Sequence, residues 1–172
     1  MFGDISEEPA RDLESRLGPN VRYLHCDTSS YSDQLSLFAA AESIFGRINV
    51  VVANAGMAIH KDIFDPSSDI SIEPSMKEVA VNLTGAIFTA RIGMHYLRKN
   101  KTNGGDLVLV SSIAGFKGSG GLATYTASKH GVLGLMRGLH TTAFPEGIRI
   151  NVICPWMTSK GLPALGTPFQ FR

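Results

Sequence analysis

The chain has little of what marks a membrane, metal or nucleic-acid protein. Only two cysteines occur in 172 residues, Cys26 and Cys154. Each closes an apolar strand pattern, so both read as buried, reduced thiols and no disulfide is expected. Charged residues make up 18%, and 16 basic against 15 acidic side chains leave a net charge of +1. That balance offers no electrostatic footprint for nucleic acid. No apolar run reaches the length of a membrane span. The acidic start, Met1-Phe2-Gly3-Asp4-Ile5-Ser6-Glu7-Glu8, lacks an apolar signal segment, which points to a cytoplasmic protein. His25, His60, His95, His130 and His140 show no ligand spacing with carboxylate or cysteine, so no metal site is expected. No repeat, low-complexity tract or linker is visible, and the length suits one domain.

What is present is an alternation of two periods. Helical spacing runs from Glu7 to Leu17 and stops at Gly18-Pro19-Asn20. A strand is predicted over 21–26. A helix over 32–45 carries Leu35, Leu37, Phe38, Ala41, Ile44 and Phe45 on its apolar positions and stops at Gly46. The run 48–53 is almost continuously apolar and reads as a strand buried on both faces. A loop rich in Pro, Ser and Asp covers 57–74, then a helix is predicted over 75–98. Lys101-Thr102-Asn103-Gly104 has the composition of a surface turn. A strand over 106–111, a Gly-rich stretch from Gly115 to Gly121, a helix over 123–143 and a strand over 148–153 complete the pattern. Strand–helix alternation predicts an α/β fold, a doubly wound parallel sheet with helices on both faces and ligands at the strand ends. Residues 161–172, full of Gly and Pro, read as an irregular tail behind a domain of residues 1–160.

Tyr125 and Lys129 stand four apart and therefore share one helix face. An ammonium beside a phenol favours the phenolate, whose reference pKa is about 10. Bringing a phenol near neutrality takes roughly 4 kcal/mol of differential stabilisation. A phenol so tuned can exchange a proton with an alcohol or ketone. Ser112, thirteen residues upstream, offers a hydroxyl to hold the reacting oxygen. The same Tyr/Lys spacing also occurs on ordinary amphipathic helices, whose lysine reaches water.

Company decides between the two. Asn54-Ala55-Gly56 follows a strand, Asn82 lies on the next helix, and Ser111-Ser112-Ile113-Ala114-Gly115 follows another strand. Tyr125-Thr126-Ala127-Ser128-Lys129 and Asn151-Val152-Ile153-Cys154-Pro155 come after. In this order the chain resembles the short-chain dehydrogenase/reductase family from Gly3 to about Lys160. Cys154-Pro155-Trp156-Met157-Thr158 departs from the commoner Pro-Gly and looks like members related to 15-hydroxyprostaglandin dehydrogenase and to fungal polyketide-alcohol dehydrogenases. The resemblance implies a Rossmann-like sheet and NAD(P)-dependent oxidation of a secondary alcohol, or reduction of its ketone. It implies Tyr125 as general acid/base, Lys129 as its activator and ribose ligand, and Ser112 as the group orienting substrate. Asn82 would kink its helix and hold a proton-relaying water. Asn54, Ala55 and Gly56 would line the adenosine side, Asp27 and Thr28 the adenine edge, and Pro155 and Thr158 the nicotinamide amide. Members form dimers and tetramers, so a homo-oligomer is implied.

The family's first strand and its Gly-x-x-x-Gly-x-Gly turn have no counterpart here, so the sheet is expected to be incomplete. Phe2-Gly3-Asp4 reads as the end of the family's second strand. Asp4 then either bonds the adenine ribose, favouring NAD over NADP by repelling a 2′-phosphate, or caps the helix beginning near Ile5 or Ser6. Without the first strand, free sheet edges are expected on both sides of the gap, and the helix N-terminus that anchors a pyrophosphate is missing. Two functional readings remain open: an oxidoreductase, and an inactive fragment acting at most by association. A flavodoxin-like binding domain would explain the sheet but not the ordered motifs.

Overall fold

The computed structural model describes residues 1–59, 63–100, 104–118 and 120–156. In chain order the elements are β1 (Phe2–Asp4), α1 (Glu7–Leu17), β2 (Tyr23–His25), α2 (Tyr31–Phe45) and β3 (Val50–Ala53). Next come α3 (Lys77–Val79), a π-helical turn (Ala80–Thr84) and α4 (Gly85–Leu97), one continuous rod where the sequence predicted a single helix. Then follow β4 (Gly105–Val110), a 3₁₀ turn (Ile113–Gly115), α5 (Ala123–Ala143), a second 3₁₀ turn (Phe144–Glu146) and β5 (Ile148–Ile153). Local signals account for several boundaries. Ser30 caps α2 by accepting the Asp33 N–H, and Gly18 and Gly46 end α1 and α2 at φ +80°, a conformation that disfavours side chains. The predicted turn at Lys101–Asn103, the tail at 161–172, His60 and Thr158 lie outside the described residues.

The strands form two separate parallel sheets, β1-β2 and β3-β4-β5. The order matches an incomplete Rossmann-like sheet: β1 and β3 each have a partner on one side only. Between them lies an open cavity of about 760 Å³ lined by Phe2, Gly3, Asp4 and Val50 to Ala53. Helix packing, not backbone pairing, holds the halves together. Phe38 of α2 stacks on Tyr96 of α4 with ring centroids 5.5 Å apart, and Tyr31 meets Phe88 edge-on.

Around β1-β2 the winding is double. Phe2 and Tyr23 pack on one another under Arg11 of α1. Leu37 of α2 comes against Gly3 and Cys26. The three-stranded sheet differs from expectation. Register aligns Val51, Leu107 and Ile150 across it, all buried. On the opposite face Val50 and Val52 are about half exposed, at 55% and 54%. β3 is therefore buried on one face, because α4 and α5 cover that face and no described element covers the other. Leu97, Leu107 and Leu109 are fully excluded from solvent and centre the core. Burying such a side chain stabilises by about 1.5–3 kcal/mol. Among the described residues no helix is long and apolar enough to cross a membrane.

Candidate active site

Lys129 is a buried, charged side chain held at the end of β4. It is 4% exposed, and its Nζ donates to the Val110 carbonyl at 3.1 Å, at the end of β4. Its own carbonyl accepts the Ser111 hydroxyl at 2.8 Å. Two consecutive residues of one strand end thus grip both ends of the lysine. Burial holds its pKa below the ordinary lysine value, and the neighbouring Cys154 sulfur pulls weakly the other way. One helical turn earlier, the Tyr125 ring lies with its centroid 5.7 Å from Nζ. Tyr125 is partly exposed, whereas Lys129 is buried.

Asn82 and Gly56 complete the cluster. A side chain at Gly56 would stand 3.2 Å from the Lys129 Nζ and 3.4 Å from Asn82 Oδ1, which is why this position is bare. Asn82 is 1% exposed and sits in the π-helical turn, the distortion the sequence placed there as a kink. Its Oδ1 accepts the Met57 N–H and its Nδ2 donates to the Met57 carbonyl, both at 2.8 Å. Nδ2 also donates to the Ser128 hydroxyl at 3.2 Å. Both amide hydrogens are therefore used, and one lone pair on Oδ1 is left for a further donor.

Ser112 follows β4 in extended backbone, and its Oγ accepts the Ala114 N–H at 3.2 Å. The hydroxyl hydrogen is not consumed by that bond. The next residue, Ile113, donates its N–H to the Pro155 carbonyl at 2.9 Å, so Ser112 and Pro155 lie side by side at the ends of β4 and β5.

The residues assigned to the adenosine side divide. Asp4, Thr28, Asn54 and Ala55 line the cavity between the sheets. Ala55 is followed by Gly56, the residue that lies against Lys129 and Asn82. Asp27 is folded back: Ser29 donates its N–H and hydroxyl to the Asp27 carboxylate, and these bonds hold its pKa below the usual carboxylate value. Asp4 accepts the Ser6 N–H at 2.8 Å in a turn ahead of α1, whose N-cap is Ser6 and not Asp4, and it also lines the cavity. The expected cap by Asp4 of a helix starting near Ile5 or Ser6 is therefore not formed, because α1 begins at Glu7 and the Asp4 carboxylate reaches no amide of its first turn.

Further polar residues are buried here, among them Gln34, Ser111 and Glu78. Gln34 donates to the Thr28 and Gly85 carbonyls at 2.6 and 3.0 Å and accepts the Thr89 hydroxyl, fixing the Thr28 loop to α4. Ser111 and Glu78 are 4% and 3% exposed. Uncompensated polar burial is costly, so a glutamine in an apolar helix stripe is a signal in the sequence, but its partners Gly85 and Thr89 lie 51 and 55 residues away. Cys26 is buried as expected, whereas Cys154 is only partly buried. Its strand ends at Ile153, leaving it on the rim beside Lys129. Among the described residues no His, Cys, Asp and Glu group could hold a metal ion.

A dinucleotide fits this chemistry at one end. The bare backbone at Gly56 and the buried ammonium behind it suit a ribose hydroxyl, and Asp4 is an acceptor on the cavity wall. The Gly-rich pyrophosphate turn has no equivalent in the sequence.

Comparison with known proteins agrees with the geometry. The family model described as short chain dehydrogenase matches residues 2–163. A short-chain dehydrogenase/reductase, ascJ, of Acremonium egyptiacum is 39% identical over 94% of this chain and 55% of its own length. The (-)-trans-carveol dehydrogenase of Rhodococcus erythropolis is 34% identical over 98% of this chain and 58% of its own. The 5'-hydroxyaverantin dehydrogenase of Dothistroma septosporum is 34% identical over 92% of this chain and 56% of its own. The chain spans just over half the length of these relatives. With a family model matched over nearly the whole sequence and relatives at 34–39% identity, the chain belongs to the short-chain dehydrogenase/reductase family.

Proposed function

We propose that this chain carries the proton-transfer half of an NAD-dependent oxidoreductase acting between a secondary alcohol and its ketone. The observation that supports this reading best is Lys129. A buried ammonium costs several kcal/mol of desolvation, yet it is kept beside the Tyr125 ring and against bare backbone at Gly56. NAD, when bound, supplies the hydride acceptor for the alcohol and, reduced, the donor for the ketone. Tyr125 Oη takes the carbinol proton in one direction and returns it in the other. The fixed positive charge of Lys129 stabilises negative charge developing on that oxygen in the transition state. Ser112 donates its free hydrogen to the substrate oxygen. The remaining lone pair of Asn82 Oδ1 receives a water that passes the proton outward. Asp4 on the cavity wall favours a free 2′-hydroxyl over a 2′-phosphate by charge repulsion. The relatives named for dehydrogenating carveol and 5'-hydroxyaverantin support an alcohol as substrate class.

Tyr125→Phe tests the assignment. Turnover of secondary alcohols followed as NADH absorbance should fall about 10²–10⁴-fold, with dinucleotide affinity little changed. Turnover that survives the loss of the hydroxyl refutes the role of Tyr125.

A further inference from the structure

Glu78 lies one turn before Asn82 and is 3% exposed. A carboxylate so far from water needs partners for its oxygens, and both have them. Oε1 accepts the Ile59 backbone N–H at 2.6 Å. Oε2 accepts a short hydrogen bond from the hydroxyl of Thr124, the residue immediately before Tyr125.

The two partners belong to different walls of the site. Ile59 continues the segment that leaves β3 through Gly56 and Met57. Thr124 is in the first turn of α5. Asn82 makes the same connection one turn further along, from Met57 to the Ser128 hydroxyl. Glu78 and Asn82 therefore form a two-point clasp. On one side it holds Met57 and Ile59; on the other it holds positions 124 and 128, which bracket Tyr125.

We propose that Glu78 is a positioning residue for Tyr125, tying the first turn of α5 to the Met57–Ile59 wall so that the phenol stays in register with Lys129 and Gly56. The inference rests on the oxidoreductase reading for its kinetic consequence but not for the clasp itself. A displacement near 1 Å at a reacting group can cost about 10²-fold in rate, and Asn82 alone anchors α5 only beyond Tyr125. Hydrogen bonding, not charge, is the device. A glutamine can accept from Ile59 through its carbonyl and meet the Thr124 oxygen with its amide.

The test uses the full chain with Glu78→Ala, Glu78→Gln and Thr124→Val. In Glu78→Ala, kcat on a panel of secondary alcohols should fall about 10–100-fold, with the affinity for NAD unchanged. Glu78→Gln should recover kcat to within about threefold of wild type. Amide hydrogen exchange gives the reading independent of activity. Segments 57–59 and 122–128 should exchange faster in Glu78→Ala, while β4 and β5 stay protected. Thr124→Val, which keeps the side-chain shape, should loosen 122–128 and spare Ile59. Unchanged exchange in those segments in Glu78→Ala and Thr124→Val overturns the clasp, whatever the activity. Faster exchange with undiminished kcat overturns the positioning role. If the wild-type chain turns over none of the alcohols, the oxidoreductase reading fails and exchange alone decides the clasp.

Discussion

The two halves of this molecule are built from the same parallel strand–helix units, yet they are held by different forces. β3, β4 and β5 are laced by backbone ladders in continuous register, and their aligned Val51, Leu107 and Ile150 sit under α4 and α5. β1 and β2 are three-residue strands whose free edge faces a cavity. They reach the rest through α2, by the Phe38–Tyr96 stack, the Gln34–Thr89 hydrogen bond and the Lys99–Glu42 ion pair. Among the described residues, Phe38 alone of the buried core cluster comes from the first half, with Tyr31 partly buried against it. A ladder closes main-chain groups that would otherwise need water, whereas a helix seam depends on a few side chains. The first half is thus expected to open locally while the second stays folded. The residues proposed for proton transfer, Asn82, Ser112, Tyr125 and Lys129, all lie on the second half.

The comparison breaks most completely at β4. Leu107→Ala removes a side chain with no exposure from between two ladders, and should cost roughly 2–5 kcal/mol in urea unfolding. Both halves should unfold in a single transition at lower denaturant. Phe38→Ala should act more locally, at about 3 kcal/mol. Its expected signature is faster hydrogen exchange in β1 and β2 with β4 and β5 unmoved. Uniform loss of protection would show that the halves are one cooperative unit.

Lys129 sharpens the contrast from the catalytic side. Its folded pKa is depressed by burial, so between that value and the ordinary lysine value the unfolded chain binds more protons. Stability therefore rises with pH across that window. The desolvation cost is fully present below the window and is relieved as pH passes through the lowered pKa. Relative to Lys129→Met, wild type should gain stability as pH rises from the lowered pKa toward the ordinary lysine value, read as urea midpoints. A difference independent of pH would mean that the ammonium is solvated in the native state.

The smallest expected effect concerns the thiols. Burial, with Asp33 and Asp27 adding to it, pushes the Cys26 thiol up to about 11, and its side chain is 1% exposed. Cys154 is partly exposed. A disulfide reagent should label Cys154 first in native protein. Cys26 should follow at the opening rate of the first half, and faster in Phe38→Ala.

Much of the fold could be read from the chain because its signals are short-range. The predicted helix over 123–143 is α5 residue for residue, and the strand over 148–153 is β5. Glycine stops at Gly18 and Gly46 ended the helices they were expected to end. The spacing of Tyr125 and Lys129 foretold a shared helix face, and they share it. Other features escaped. The run at 48–53 looked buried on both faces because composition reports hydrophobicity and not which face receives a neighbour. Glu78 drew no notice, since a glutamate on a helix is usually solvated. Only its approach to Ile59 and Thr124, the latter 46 residues away, makes it a buried group.

Periodicity, turn residues and the four-residue step from Tyr125 to Lys129 are properties of neighbours along the chain, and they suffice to specify helices, strands and a parallel order. Which side chains become neighbours through space is another matter. Lys129 against Gly56, Asn82 against Met57 and Glu78 against Thr124 exist only after crossovers bring separate strand ends to one edge. Desolvation is likewise a property of the packed whole, so the depressed pKa of Lys129 and the exposed face of β3 were settled by tertiary packing and not by residue type.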